Sequence, residues 1–373
     1  MPDRYFDNAS TSFPKPREVA MGMARFMTET GGTYARAAYY RAVESSRMVE
    51  MCRNMLLDKI GAGVKDYMVF TSNATDASNM LLSGLGLHDC RVLVSPLEHN
   101  AVMRPLEWLR LNRGVEWEML PACIDGRVDC EALRNMDFDG VQLIVVNHQS
   151  NVNGVIQPVA GIKAVAGGVP VAVDASQSIG YMDIDVYGMG ADFLFFTGHK
   201  GLHGPTGTGG LYIRAGMEVA PLRYGGTSTL SYSLDMPDTM PDRMEAGTPN
   251  MAGIAGLLAA LENPVEPHHT RADFMHLLHA IKDIDGAKVY CACDEEYQGE
   301  LFSFTFKGIS SSIIAEMLFD RFGIECRSGI HCAPLAHSYL KSGESGTVRL
   351  SLSPYHTRED LDYLINSVRE ICV

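Results

Sequence analysis

The chain has 373 residues, of which 46% are hydrophobic, and 31 Lys and Arg against 45 Asp and Glu give it a formal net charge of −14. That length and apolar content suit a large core or two domains, whereas the acidic balance and the lack of any Lys/Arg run weigh against a nucleic-acid partner. No apolar run approaches bilayer-spanning length, and Met1-Pro2-Asp3-Arg4-Tyr5 is no export signal, so a cytoplasmic globular protein without membrane contact is expected.

In chain order, helical periodicity over 16–30 and 42–60 precedes a short apolar strand, Tyr67–Thr71, which runs into a helix near 75–85. Further strands are predicted at 91–95, 115–120, 141–147, 169–174, 192–197 and 208–213, with helices near 100–112, 129–135 and 158–166 between several of them. This alternation indicates an α/β fold with a mostly parallel sheet covered on both faces. A Gly/Thr/Pro/Asp-rich stretch at 225–250 leads to a helix at 251–262. After it, helices at 271–281, 311–322 and 358–371 mix with strands at 301–306 and 346–353, the pattern of a second, smaller α/β domain. The nine cysteines are irregularly spaced and read as reduced thiols. Cys291 and Cys293 have no second pair at zinc-ligand spacing, so they read as a strand fragment and no metal is expected. The 21 methionines read as core filler.

Ligands of parallel α/β sheets collect beyond the carboxyl ends of the strands, and Thr75, Asn151, Asp174 and Thr197 all follow predicted strands. Thr197-Gly198-His199-Lys200 offers an amine, and Val173-Asp174-Ala175-Ser176-Gln177 offers a strand-end carboxylate. Pyridoxal phosphate needs both: an amine to hold its aldehyde as an imine and a carboxylate to keep its ring nitrogen protonated. A lone lysine there would be an ordinary loop cation. The segment Val69 to Asp76 looks like a strand entering a helix whose N-terminus suits a phosphate, although Ser72, Asn73 or Thr75 could simply cap it. His99, in Ser95-Pro96-Leu97-Glu98-His99-Asn100, could lie flat on a cofactor ring or be structural. Asn151 and Gln177 could bond a phenolic oxygen or sit in turns.

Cys326-Arg327-Ser328-Gly329-Ile330-His331-Cys332-Ala333-Pro334 is a second chemical centre. Cationic or donor groups beside a cysteine favour its nucleophilic form, and the alternative is an inert thiol. In Thr347-Val348-Arg349-Leu350-Ser351 alternation puts Thr347, Arg349 and Ser351 on one face of a strand, where the arginine is either a carboxylate clamp or a surface cation. Walker, dinucleotide-binding, His-Glu-x-x-His and Gly-x-Ser-x-Gly motifs are absent from the sequence.

Four motifs together resemble the class V aminotransferase family of pyridoxal phosphate enzymes, in its cysteine desulfurase and selenocysteine lyase branch. They are Asp174 with Gln177, Thr-Gly-His-Lys at 197–200, Arg243 to Asn250, and Arg-Ser-Gly-Ile-His-Cys at 327–332. The likeness spans nearly the whole chain. It implies pyridoxal phosphate fold type I: an N-terminal segment at 1–15 packing on the small domain, a large domain at 16–255 with a mostly parallel seven-stranded sheet, and a small domain at 256–373 carrying Cys332 and Arg349. By the same resemblance Lys200 binds the cofactor aldehyde, Asp174 pairs with the ring nitrogen, His99 stacks on the ring, and Asn151 and Gln177 bond its oxygen. Ala74, Thr75, Thr197 and His199 would hold the phosphate, with Thr248 reaching across from the partner of a homodimer. Arg349, Asn151 and the backbone at Ala9 would hold an amino acid substrate, and Cys332 would form a persulfide on a compact loop that an acceptor protein unloads. The implied activity is conversion of L-cysteine to L-alanine, with a selenocysteine lyase or another class V lyase or aminotransferase as the alternative. Two departures touch the sulfur-handling region: Arg36-Ala37-Ala38-Tyr39 has tyrosine where relatives carry histidine, and Ile330 replaces the first of two histidines.

Overall fold

The computed structural model describes residues 4–34, 38–227 and 229–371, so Arg36 and Ala37 of the departing segment lie outside the described residues. Helix α1 (Arg17–Arg25) runs through a π-turn into Thr30, and α2 (Tyr40–Lys59) follows. Then come β1 (Tyr67–Thr71), α3 (Ala74–Gly84), β2 (Arg91–Val94), α4 (Asn100–Arg113), β3 (Glu116–Met119), α5 (Cys130–Leu133), β4 (Val141–Asn147) and α6 (Val159–Ala166). β5 (Val171–Asp174), β6 (Phe193–Thr197) and β7 (Gly209–Ile213) complete a seven-stranded sheet of order β1-β7-β6-β5-β4-β2-β3. Its inner neighbours are parallel, and only β7 runs antiparallel, to β1 and to β6.

Strands buried on both faces read as continuous apolar runs, and every residue of β5, β6 and β7 is buried. Alternation sends Phe196 to a core shared with Val49 and Leu56 of α2, and Phe195 to one shared with Leu81 of α3 and Leu106 of α4.

Helix α7 (Met251–Glu262) packs on α1 and α2 and runs without a break through the expected boundary at residue 255. Beyond it lie α8 (Arg271–Lys282), β8 (Ala287–Tyr290), β9 (Leu301–Phe306), α9 (Ser311–Phe322), β10 (Arg327–Gly329), α10 (Pro334–Leu340), β11 (Thr347–Ser351) and α11 (Arg358–Glu370). The four strands form an antiparallel sheet, β10-β11-β9-β8, whose core gathers Phe274, Phe302, Leu318, Val348 and Leu364. Phe6 from the start of the chain is fully buried in this second core, tied by its N–H to the Glu325 carbonyl and by its own carbonyl to the Ser351 N–H. Thr270 with Asp273 and Thr357 with Asp360 form reciprocal capping boxes that start α8 and α11.

Three elements escape the sequence pattern. β8 is half-exposed, β10 exists only by pairing with β11, and α10 begins with Pro334 at its first position, where the missing N–H costs nothing. Several methionines also depart from core filling, since Met21 and Met27 are exposed. Among the described residues no helix is long and apolar enough to cross a membrane.

Candidate active site

Asn147 and Asp174 are register partners at the carboxyl ends of β4 and β5, and Thr197 ends the next strand, β6. A cavity of about 230 Å³ opens over these ends, lined by Ala9, Ala74, Thr75, His99, Asn151, Asp174, Gln177, Thr197, His199, Lys200 and Arg349. Of the residues given a cofactor, substrate or sulfur role from the sequence, Cys332 and Thr248 lie outside this lining.

Lys200 follows β6 in a tight turn closed by the His203 N–H on the Lys200 carbonyl, 2.8 Å. Removal from water pushes its amine down to about 8; Arg349 and Arg327 add repulsion, while Asp174 and Asp7 pull the other way. The buried Asp174 carboxyl is raised by burial against the pull of the Ser176 N–H, which donates to Oδ1 at 2.9 Å, and of the Lys200 charge. His199 is held neutral by the same loss of water, down to about 4, and its carbonyl accepts from the Ser12 N–H and from Lys15 Nζ.

At the other side of the cavity, Asn73 caps α3, its Oδ1 accepting from the Asp76 N–H at 2.9 Å. The capping alternative is therefore correct for Asn73. Helix geometry leaves the Ala74 and Thr75 N–H groups without intrahelical acceptors, and both residues line the cavity. His99 caps α4 through Nδ1, which accepts from the Ala101 N–H at 3.0 Å. Since Nδ1 is the acceptor and burial with nearby cations drives the ring down to about 3, His99 is neutral with its proton on Nε2.

The second sheet supplies the remaining wall. Arg349 is 1% exposed, contrary to a surface cation. Its Nη2 donates to Asp7 Oδ1 at 2.6 Å and Ser10 Oγ at 2.8 Å, and its Nη1 to the Asn151 carbonyl at 3.1 Å. Asn151 Nδ2 donates to the His331 carbonyl at 2.8 Å, while Asn151 Oδ1 and Arg349 Nε are buried without a protein partner. Cys332 is exposed at the rim, 3.6 Å from Arg327 Nη2, and its carbonyl accepts from the Asn100 N–H.

Ala9 and Thr248 have surroundings of their own. Both backbone groups of Ala9 are taken: its N–H donates to Ser351 Oγ at 2.8 Å, and its carbonyl accepts from Gln177 Nε2 at 3.0 Å. Thr248 lines a separate cavity of about 390 Å³ with Ser72, Asp76, Gly207, Arg223 and Glu245. Tyr39, at the departing position, is exposed and precedes α2.

Sequence reasoning assigned no role to Glu98, Ser10 or Asp7. Glu98 is fully buried behind the cavity, its Oε1 accepting from Ser95 Oγ at 2.7 Å and the Asn147 N–H at 2.6 Å; burial, opposed by these bonds and reinforced by Asp174, pushes its carboxyl up to about 8. The only sequence signal was its place beside His99 after an apolar strand.

A lysine just past one strand end, a buried carboxylate at the neighbouring strand end, a helix N-terminus and an arginine on a second sheet converge on one cavity, the place where α/β enzymes keep their active sites. The aminotransferase class-V family profile matches residues 4–364, and the chain belongs to this family of pyridoxal phosphate-dependent enzymes. It is 35% identical to a probable cysteine desulfurase of Methanothermobacter thermautotrophicus, over 98% of this chain and 94% of that protein. Among solved structures it is similar to the apo cysteine desulfurase of Thermococcus onnurineus NA1, with a TM-score of 0.89 and 30% identity over 98% of this chain and 94% of that one. It is also similar to the Escherichia coli cysteine desulfurase CsdA in an S-sulfonic acid form, with a TM-score of 0.87 and 28% identity over 99% and 94%.

Proposed function

We propose that the chain is a pyridoxal phosphate-dependent cysteine desulfurase that converts L-cysteine to L-alanine and keeps the sulfur as a persulfide on Cys332. The observation that carries this reading is the position of Cys332, exposed beside Arg327, at the rim of a cavity that also holds Lys200, Asp174 and Arg349.

The lining fits the cofactor part by part. Free N–H groups at the start of α3, with Thr197 and His199, suit the phosphate, Asp174 suits the ring nitrogen, His99 the ring face, and Lys200 the aldehyde. The unpartnered Asn151 Oδ1 and His199 Nδ1 are polar atoms that a polar ligand satisfies. Gln177 lines the same cavity, with its Nε2 bonded to the Ala9 carbonyl. When bound, pyridoxal phosphate supplies an electron sink that makes the substrate α-proton acidic and activates the β-carbon–sulfur bond.

The residues of the chain do the rest. Arg349, fixed by Asp7, Ser10 and Asn151, orients the substrate carboxylate. Lys200, with its amine near 8, has a substantial neutral fraction at mildly alkaline pH and takes the α-proton through Nζ. His99 has a proton to move at Nε2. The Cys332 sulfur then attacks the substrate sulfur: an S–S bond forms, the Cβ–S bond breaks, and the electron pair with a proton stays on carbon as alanine. No outside oxidant or reductant is needed.

Thr248 and its separate cavity lead us to place a second copy of the chain against this face, as a homodimer acting in the cytoplasm and passing sulfur to an acceptor protein. Purified protein given L-cysteine is expected to form alanine. Cys332→Ser should lower that rate by about a hundredfold or more while keeping the cofactor's visible absorbance; an undiminished rate would remove the persulfide step.

A further inference from the structure

Ser10 comes from the opposite end of the sequence to the two arginines of the site, yet its hydroxyl joins them. Its Oγ accepts from Arg349 Nη2 at 2.8 Å and from Arg327 Nη1 at 3.0 Å, and donates to Asp7 Oδ1 at 2.8 Å. One donor and two acceptor positions are all that a hydroxyl has, so this one is saturated. The arginines are register partners on β10 and β11, which brings two like charges together, with the Asp7 carboxylate bonded to Arg349 and to the shared Ser10 hydroxyl. One positive charge is left over for a substrate carboxylate.

The two guanidinium groups are not held equally. Arg349 is fully buried and has the Asn151 carbonyl and Asp7 as further partners. Arg327 is only half-buried, and among the described residues its side-chain bonds go to Ser10 Oγ and, through Nη2, to Cys332 Sγ at 3.6 Å. A long arginine side chain with one firm anchor loses most of its placement when that anchor goes. The anchor itself is rigid: the Ser10 N–H donates to the Asp7 carbonyl, and the segment is locked by Phe6 in the second core.

We propose that Ser10 is a positioning residue that holds Arg327 against the Cys332 sulfur and ties that contact to the carboxylate clamp at Arg349. The inference deepens the desulfurase reading and rests on it. A cation so placed stabilises negative charge on sulfur during attack, and because Ser10 serves both arginines its loss weakens sulfur reactivity and substrate binding together.

The test uses the holoenzyme and compares iodoacetamide labelling of Cys332 with that of Cys293, an exposed thiol after β8, by peptide mass spectrometry. Ser10→Ala and Ser10→Gly each remove the hydroxyl, and Ser10→Thr keeps it. The Cys332:Cys293 labelling ratio is expected to fall by about threefold or more in both hydroxyl-free variants and to return toward wild type with threonine, while KM for cysteine rises by roughly three- to tenfold. A merely structural role would move both thiols together and would not be rescued by threonine. A ratio unchanged in Ser10→Ala and Ser10→Gly overturns the proposal. Failure of the wild-type protein to make alanine would instead overturn the desulfurase reading, and the labelling ratio would still report on Ser10 by itself.

Discussion

The Lys200 pocket and the Cys332 rim are built in opposite ways. In the pocket, Asn147, Asp174 and Thr197 sit at the ends of neighbouring strands, and Asn73 and His99 cap helices, so regular hydrogen-bond ladders fix each side chain. At the rim, residues 330–333 form a tight turn with two successive left-handed residues, His331 at φ 50° and Cys332 at φ 57°. Neither is glycine, so each costs roughly 1–2 kcal/mol that the surroundings must offset. They do so over long sequence distances: Asn151 Nδ2 and the Asn100 N–H hold the His331 and Cys332 carbonyls, and His331 Nε2 lies 3.0 Å from Thr347 Oγ1. A pocket made of ladder ends is in place as soon as the sheet forms, whereas the rim depends on several distant partners at once. Cofactor chemistry and sulfur handling should therefore be separable by substitution.

The largest expected effect cuts the pocket without touching the rim. Lys200→Ala should lower alanine formation by about a thousandfold or more, because it removes both the anchoring amine and the base at Nζ. Cys332 should still react with iodoacetamide at the wild-type rate. Borohydride reduction followed by peptide mapping checks the anchor: a cofactor still linked to lysine in this variant would move the anchor elsewhere.

Arg349 stands between the two regions, and its replacement is expected to act mainly on substrate binding. Lysine keeps the charge but cannot reach Asp7, Ser10 and the Asn151 carbonyl together. Arg349→Lys should raise KM for cysteine by about ten- to a hundredfold, with a smaller change in kcat, in steady-state assays of alanine release. An unchanged KM would mean that the carboxylate is held elsewhere, and the charge count around Ser10 would lose its purpose.

The same contrast explains what the sequence could reveal. Lys200, Asp174 and Thr197 were legible because a strand end followed by a polar residue is a local pattern. The alternation of Thr347, Arg349 and Ser351 was legible too, and Val348 and Leu350 do enter the second core. Burial of Arg349 was not, because its neutralising partner is Asp7, far away in the chain. Ser10 was hidden for that reason. β10 was hidden because three residues, Arg327–Gly329, carry no periodicity and are extended only by virtue of β11. α10 was hidden because Pro334 stands at its head, where a proline starts a helix rather than breaking one. The pairing of the Ala9 N–H with Ser351 Oγ was hidden as well, because it joins two elements that no local pattern links.

The smallest expected effect concerns the support behind the pocket. Glu98 is buried, and its carboxyl is pushed up to about 8 from an ordinary value of 4.5, mainly by loss of water. The folded protein thus keeps a proton there at pH values where an unfolded chain has released it. Stability from this group is complete below about 4.5 and is lost as pH rises through about 8. The slope between these limits is at most about 1.4 kcal/mol per pH unit, the value for one proton. Glu98→Gln keeps the Oε1 acceptor for Ser95 and the Asn147 N–H but cannot ionise. Its second terminal atom becomes an amide donor at the place of Oε2, which has no protein partner and in the protonated wild type is itself an unpaired hydroxyl donor, so the pH-independent offset between the two proteins is at most about 1–3 kcal/mol. The slope, not the absolute level, is therefore the readout. Melting temperatures measured from pH 5 to pH 9 should fall less steeply for Glu98→Gln than for the wild type, so that any advantage of the wild type at pH 5 shrinks and is reversed as pH rises toward 8. Parallel curves would show that Glu98 is ionised in the folded state, and the pocket would then hold two buried carboxylates, at Glu98 and Asp174, behind one lysine.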